Sequence, residues 1–195
     1  MKRVIKKVFP DTMKFLEFVE EQKKLALAKG PLGPNNLIDL RGVRLDVEKP
    51  WLSFVNLSWC HFKKINLQGA NFKEANLQGI KFEESDLNGA DFSGAHLQGA
   101  QLQGTQLQLC KMDKANLRVA NLRSADLRGS SVTGCDLQFA NLQGSFLQRI
   151  DLSDSNLQGV NLQGVDLQKA KLNRTILTGA SMQWSDLQGA NLRGA

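Results

Sequence analysis

From Leu52 to Leu192 every fifth residue is apolar, 29 positions in succession without a gap. Most are Leu, with Phe at 62, 72, 82 and 92, Met at 112 and 182, and Val at 132. Two residues before each, the side chain is small (Ala, Ser, Thr, Cys or Val), apart from Pro50, Ile65, Ile80 and Ile150. The three positions between are mostly Asn, Asp, Gln, Arg, Lys and Gly. A period of five fits neither the 3.6 of a helix nor the 2 of a strand. Two residues spaced by two do share one side of an extended segment. Three polar residues, often including Gly, can then turn a corner. Each five is therefore one short inward-facing edge and one corner. Edges and corners in series make a coil, and coils must stack to bury their Leu and pair their backbone groups.

The aromatic positions suggest how many edges close a coil. Phe62 and Phe82 lie twenty apart, as do Phe72 and Phe92. With four edges per coil they form two stacked columns on opposite sides; with three they scatter. The pattern predicts a square coil of twenty residues, about seven coils in all. At ~4.8 Å per rung the rod is roughly 35 Å long.

The run "ANLQG", "SDLNG", "ADFSG", "ANLRV", "ADLRG" resembles the pentapeptide-repeat family, whose motif is A(D/N)LXX. The resemblance covers residues 52–195. It implies an all-β solenoid, a right-handed quadrilateral β-helix with the central Leu or Phe and the preceding small residue inside. It points to a scaffold more than to any one activity, because fold alone does not fix function.

The segment before the rod reads differently. "VFPDTMKFLEFVEEQKKLALAKGPLG" predicts a helix, with Asp11 or Thr12 capping its start, an apolar side of Phe15, Leu16, Phe18 and Val19, and a stop at Gly30 and Pro31. This divides the chain into an α-helical cap over 1–36 and the repeat rod over 37–195. The cap is expected to cover the first coil's open strands; a partner-binding or membrane-surface helix is the alternative. Two further fives centre on Leu40 and Leu45, but Leu45 to Leu52 is seven, so an insertion around Pro50 and Trp51 is expected to break the edge there. At the other end "SDLQGANLRGA" is unbroken repeat. That predicts either a domain detached from a larger protein or a last coil that pairs with a second copy as a homodimer.

Charge narrows the partners. The chain is +6 overall, but residues 52–195 carry 14 Lys and Arg against 12 Asp and Glu. No basic stripe suggests nucleic acid. Neither signal peptide nor membrane span is evident. Cys60, Cys110 and Cys135 have no CxxC spacing, which favours a reducing, cytoplasmic setting over a disulfide framework.

Candidate chemistry is sparse. The aspartates before central leucines fit the repeat itself. His61 and His96 fall on different edges, and the cysteines occupy the small inward slot, so no metal site is expected. No phosphate-binding or nucleophile motif is present. Catalytic residues, cofactors and metals are therefore not predicted. Gln after the central residue recurs in columns and can hydrogen-bond along the rod.

Departures from the repeat mark where a partner could bind. Arg118, Arg123 and Arg128 follow consecutive central leucines and form a basic collar, balanced in part by Asp113, Asp126 and Asp136. Bulky apolar residues at outward positions are Trp59, Leu109, Val119, Phe139, Phe146, Ile176 and Trp184. Val119 and Phe139 are twenty apart and should touch beside Arg118 and Gln138, a composition typical of binding hot spots. The sequence thus predicts a non-enzymatic scaffold that binds a protein partner through Arg118, Val119, Gln138 and Phe139, helped by Arg123 and Arg128. A DNA-mimicking gyrase binder is the alternative, and the near-neutral rod argues against it.

Overall fold

The structure, a computed structural model, describes residues 7–195. The first six residues of the predicted N-terminal unit lie outside them. From Trp51 onward the backbone advances by one rung every twenty residues: Trp51 bridges Asn71, Asn71 bridges Asp91, and this parallel register continues to Lys171 and Asn191. Twenty residues are four fives, so each turn has four edges, as the aromatic spacing predicts. Phe62 stacks on Phe82 with centroids 5.4 Å apart, and Phe72 on Phe92 at 4.9 Å.

Each position of the five has a structural reason. The central residue and the small residue two before it are buried from Leu52 through Leu172, with Val55 only partly so. The residue between them faces out and is usually Asn or Asp. Its side-chain oxygen accepts the backbone N–H two residues on, as Asn76 does from Gln78 at 3.2 Å and Asp136 from Gln138 at 3.1 Å. That local bond favours a turn just where the edge must end. The corner is a β-turn: Phe72 C=O accepts from Ala75 N–H at 3.0 Å, and Glu74 within it has φ +54. A positive φ at the third residue defines the type II turn. Every fifth residue from 49 to 194 repeats it, and sixteen of these corners are not Gly. Polar side chains at the small inward slot are satisfied internally. Ser130 Oγ donates to Leu107 C=O at 2.7 Å and Ser155 Oγ to Val132 C=O at 2.6 Å.

At the N-terminal end β1 (Lys7–Phe9) precedes α1 (Thr12–Leu27), followed by β2 (Ile38–Asp39) and β3 (Val43–Leu45). β1, which the periodicity did not suggest, pairs in parallel with β3. Asp11 is the N-cap of α1 and accepts Lys14 N–H at 2.8 Å. The helix ends at Leu27, where Asn36 Nδ2 donates to Ala26 C=O at 3.2 Å and to Gly30 C=O at 2.9 Å. α1 lies across the first coil. Phe15 packs on Phe9 (5.7 Å) and on Phe62 (6.2 Å), continuing the inner aromatic column. Lys23 is buried; its ammonium meets Glu20 Oε1 at 2.5 Å and donates to Asn56 C=O on the coil beneath.

The extra residues between Leu45 and Leu52 do not break the edge at Pro50 and Trp51. That edge is regular: Asn71 N–H donates to Pro50 C=O at 3.0 Å and Leu52 N–H to Asn71 C=O at 2.7 Å. The offset lies before it. β2 pairs with β4 (Cys60–Lys63) as Ile38 with Cys60, a step of 22 rather than 20. Lys49 already occupies a regular corner, with its Cγ against Gly69. The two additional residues are therefore taken up within 46–48, where a corner can widen without disturbing paired backbone. β4 continues in register onto β5 (Lys81–Glu83).

Candidate functional site

The expected site lies on the corner column that joins two faces of the rod, the column of Trp59, Gly79, Gly99, Val119, Phe139 and Gly159. Val119 and Phe139 are successive rungs of it and are 60% and 53% exposed. Arg118, one residue before the corner, places its guanidinium carbon 5.9 Å from the Phe139 ring centroid, a cation–π distance. Arg118, Val119, Gln138 and Phe139 thus share one edge.

The collar is less available than its sequence suggests. Arg128 is held bidentate by Asp126, at 2.9 and 2.6 Å. Arg118 Nη1 stands 3.6 Å from Asp136 Oδ2. Asp113 instead accepts from Ser131 Oγ and from Thr133 Oγ1, the latter at 2.7 Å. Among the described residues only Arg123 of the three lacks a carboxylate within ion-pair distance. Burial works to raise the Asp126 carboxyl, but bonds from Arg128 and Gln108 outweigh it and hold it below its ordinary 3.8. The guanidinium of Arg128 is raised by the same contact.

The corners explain where the bulky side chains rest. A side chain at a left-handed corner leans toward the following coil. Where it is large, the corner twenty residues on is usually Gly, for a Cβ there would collide with it. Added at Gly79, a Cβ would sit 2.2 Å from the Trp59 ring; at Gly159, 2.6 Å from Phe139; at Gly129, 3.0 Å from Leu109. Trp59 is consequently mostly buried rather than exposed as predicted, because its ring lies on Gly79. Leu109, Phe146, Ile176 and Trp184 are exposed as expected.

Two exposed aromatics escaped the sequence reading. Trp51 and Phe54 flank Leu52 on one rung and are 70% and 76% exposed. The five centred on Leu52 places both outward, so the signal was present; assigning a broken edge to 50–51 hid it.

The glutamine columns bond along the rod, mostly to aspartate. Gln68, Gln108, Gln148 and Gln168 donate to Asp86, Asp126, Asp166 and Asp186 of the next coil at 2.5–2.7 Å. An amide-to-amide rung occurs between Gln163 and Gln183 at 3.0 Å.

The three thiols are free and buried, and burial pushes each up to about 12, so they are poor nucleophiles. His61 faces Glu83 at 3.2 Å, but burial, with Arg41 and Lys81 nearby, holds it below its ordinary 6.5. No cluster of potential metal ligands occurs among the described residues, and none of their helices is long and apolar enough to cross a membrane.

Solved structures similar to this chain include HetL, a pentapeptide repeat protein involved in heterocyst differentiation regulation from the cyanobacterium Nostoc sp. strain PCC 7120. It is 24% identical over 96% of this chain and 94% of its own, with a TM-score of 0.48. Full-length QnrB1, a plasmid-mediated fluoroquinolone resistance protein, is 21% identical over 67% and 73% at a TM-score of 0.38. Rfr23 from the cyanobacterium Cyanothece 51142 is 18% identical over 92% and 95% at 0.19. No curated protein matches the chain. The family model for pentapeptide repeats matches residues 110–138, 135–174 and 155–194, and the model for a pentapeptide repeat region matches 47–109. With the twenty-residue rung and the inward Leu columns already established, these matches place the chain in the pentapeptide-repeat family.

Proposed function

We propose that this protein is a non-enzymatic scaffold of about seven coils, closed at one end by α1, that binds another protein along the edge carrying Arg118, Val119, Gln138 and Phe139. The observation that carries this reading is the conformation of Val119. It is β-branched yet sits at φ +58, in the left-handed region that such residues rarely adopt. The fold asks only for a residue that tolerates this corner, and Gly serves at Gly99 and Gly159 in the same column. A β-branched Val at this corner opposes free-state stability, and exposed over an exposed Phe with a guanidinium against the ring it suits a contact surface. The pairing of Arg118 and Arg128 shifts the weight of that contact from charge to the apolar pair, leaving Arg123 as the cation open to an acidic group. Free, buried, unpaired thiols support a reducing compartment such as the cytoplasm.

Phe139→Ser and Arg118→Glu should leave the thermal midpoint nearly unchanged and weaken capture of whatever the wild type retains. Folded variants that retain every partner would refute the reading. Gyrase binding by DNA mimicry has little support, since a mimic needs a strongly acidic surface; a supercoiling assay tests it. A second copy stacking on the last coil is the other association we propose. There Met182 and Leu187 are partly exposed and Leu192 is 39% exposed. Leu192→Asp should then lower the mass measured by light scattering; a monomer at high concentration in both proteins would reject it.

A further inference from the structure

We infer that the rung carrying Trp51 and Phe54 is a second binding site, independent of the Phe139 edge, and that it takes a cationic side chain, arginine or lysine, of a polypeptide partner. Phe54 is a corner residue at φ +58, like Trp59 and Phe139. Those two rings lie on the glycine of the next coil. Phe54 has no glycine to rest on, since the next corner of its column is Glu74, and it is 76% exposed, more than Phe139 over Gly159 at 53%. Trp51 projects from the same rung, on an edge whose next outward positions are Asn71 and Asp91, with Lys111 a rung further on. Neither aromatic is required by the fold, and each exposes most of its surface.

The groove beside these rings has an acceptor and a negative charge for a cation. Ser53, between the two aromatics, is buried, 9% exposed, and its Oγ is closed off from solvent without a hydrogen-bond partner. Glu74, one rung below Phe54, leans over Gly94 and forms no ion pair among the described residues. Of the two lysines in the groove, Lys73 is engaged by Asp91 at 3.4 Å and Lys114 lies two rungs below Glu74. An aromatic face beside an uncommitted carboxylate complements a guanidinium or ammonium. A Trp or Phe face attracts a cation within about 6 Å of its centroid, and a guanidinium against the ring can bond the carboxylate at the same time.

The test uses the full chain labelled with 15N and a capped heptapeptide, Gly-Ser-Gly-Arg-Gly-Ser-Gly. Its control is the same peptide with citrulline, which keeps the shape of arginine and removes its charge. The three indole N–H signals are assigned by Trp51→Phe, Trp59→Phe and Trp184→Phe. The arginine peptide should move the Trp51 signal saturably and leave those of Trp59 and Trp184 in place. The citrulline peptide, or Glu74→Gln with the arginine peptide, should bind about tenfold more weakly. An unmoved Trp51 signal, or equal response to arginine and citrulline, overturns the proposal. So does a Trp51 response to maltohexaose without one to the arginine peptide, which would make the groove a sugar site. Phe139→Ser should not alter the titration; if it does, the two sites are not independent and the assignment fails.

Discussion

The packing of large corner residues on glycine gives a sharp expectation for two substitutions that look identical in sequence. Gly79 and Gly99 occupy the same corner column, with φ +61 and +66. Replacing either by Ala forces an L-residue into the left-handed region, which costs roughly 1–2 kcal/mol. At Gly99 nothing lies within 4 Å of the added Cβ, so the conformational cost is all. At Gly79 the Cβ would fall 2.2 Å from two carbons of the Trp59 ring, far inside ordinary contact, and the ring must swing away. If that re-exposes roughly 60 Å² of indole, at ~25 cal/mol per Å² the further loss is about 1.5 kcal/mol. Gly79→Ala should therefore destabilise by about 2.5–3.5 kcal/mol and Gly99→Ala by about 1–2. Urea titration followed by circular dichroism measures both, compared at constant slope. A double-mutant cycle isolates the contact: Trp59→Ala combined with Gly79→Ala should recover about 1.5 kcal/mol relative to the sum of the single effects, and the same cycle with Gly99→Ala should be additive. Equal losses at the two glycines, or additivity in both cycles, would refute the packing account.

Three further outcomes follow from the same geometry. Leu127→Ala should cost about 2–5 kcal/mol as a buried truncation, whereas Gln158→Ala, whose side chain is outside, should stay within about 0.5; denaturation midpoints decide. Lys23→Met keeps the stem but removes the part-buried bond from its ammonium to Asn56 C=O; a bond to a charged group is worth about 1.5–3 kcal/mol, and its loss should show as faster amide exchange in the first coil. In Asp91, Asp113, Asp126 and Asp151 burial raises the carboxyl, but the hydroxyl, backbone, amide or cation bonds each receives prevail, so all four lie below 3.8 in the fold. The unfolded chain then binds more protons at low pH, so their contribution is present above about 3.8 and is lost as pH falls below it. Thermal midpoints between pH 6 and pH 2 should drop over that acidic range; a flat profile would show that these bonds do not favour the ionised form.

How much of this was legible in the sequence follows from which interactions are local. The five-residue period alone fixed inside and outside, since inward burial of Leu, the side-chain turn of Asn or Asp, and the corner all act within a few residues. The start of α1 at Asp11 was readable for the same reason, a cap bonding three residues ahead. What the sequence left open depends on the neighbour twenty residues away. That the Trp59 ring has a place to rest depends on Gly79, and that Phe54 has none on Glu74. Whether Arg118 is an anchor or a paired charge is decided by Asp136, eighteen residues on. The two-residue excess after Leu45 was visible as a number, but its place was not, because only the paired backbone shows that Trp51 already sits in register with Asn71. A repeat sequence states the rung; stacking the rungs decides what each outward side chain touches, because those contacts run along the rod axis and not along the chain.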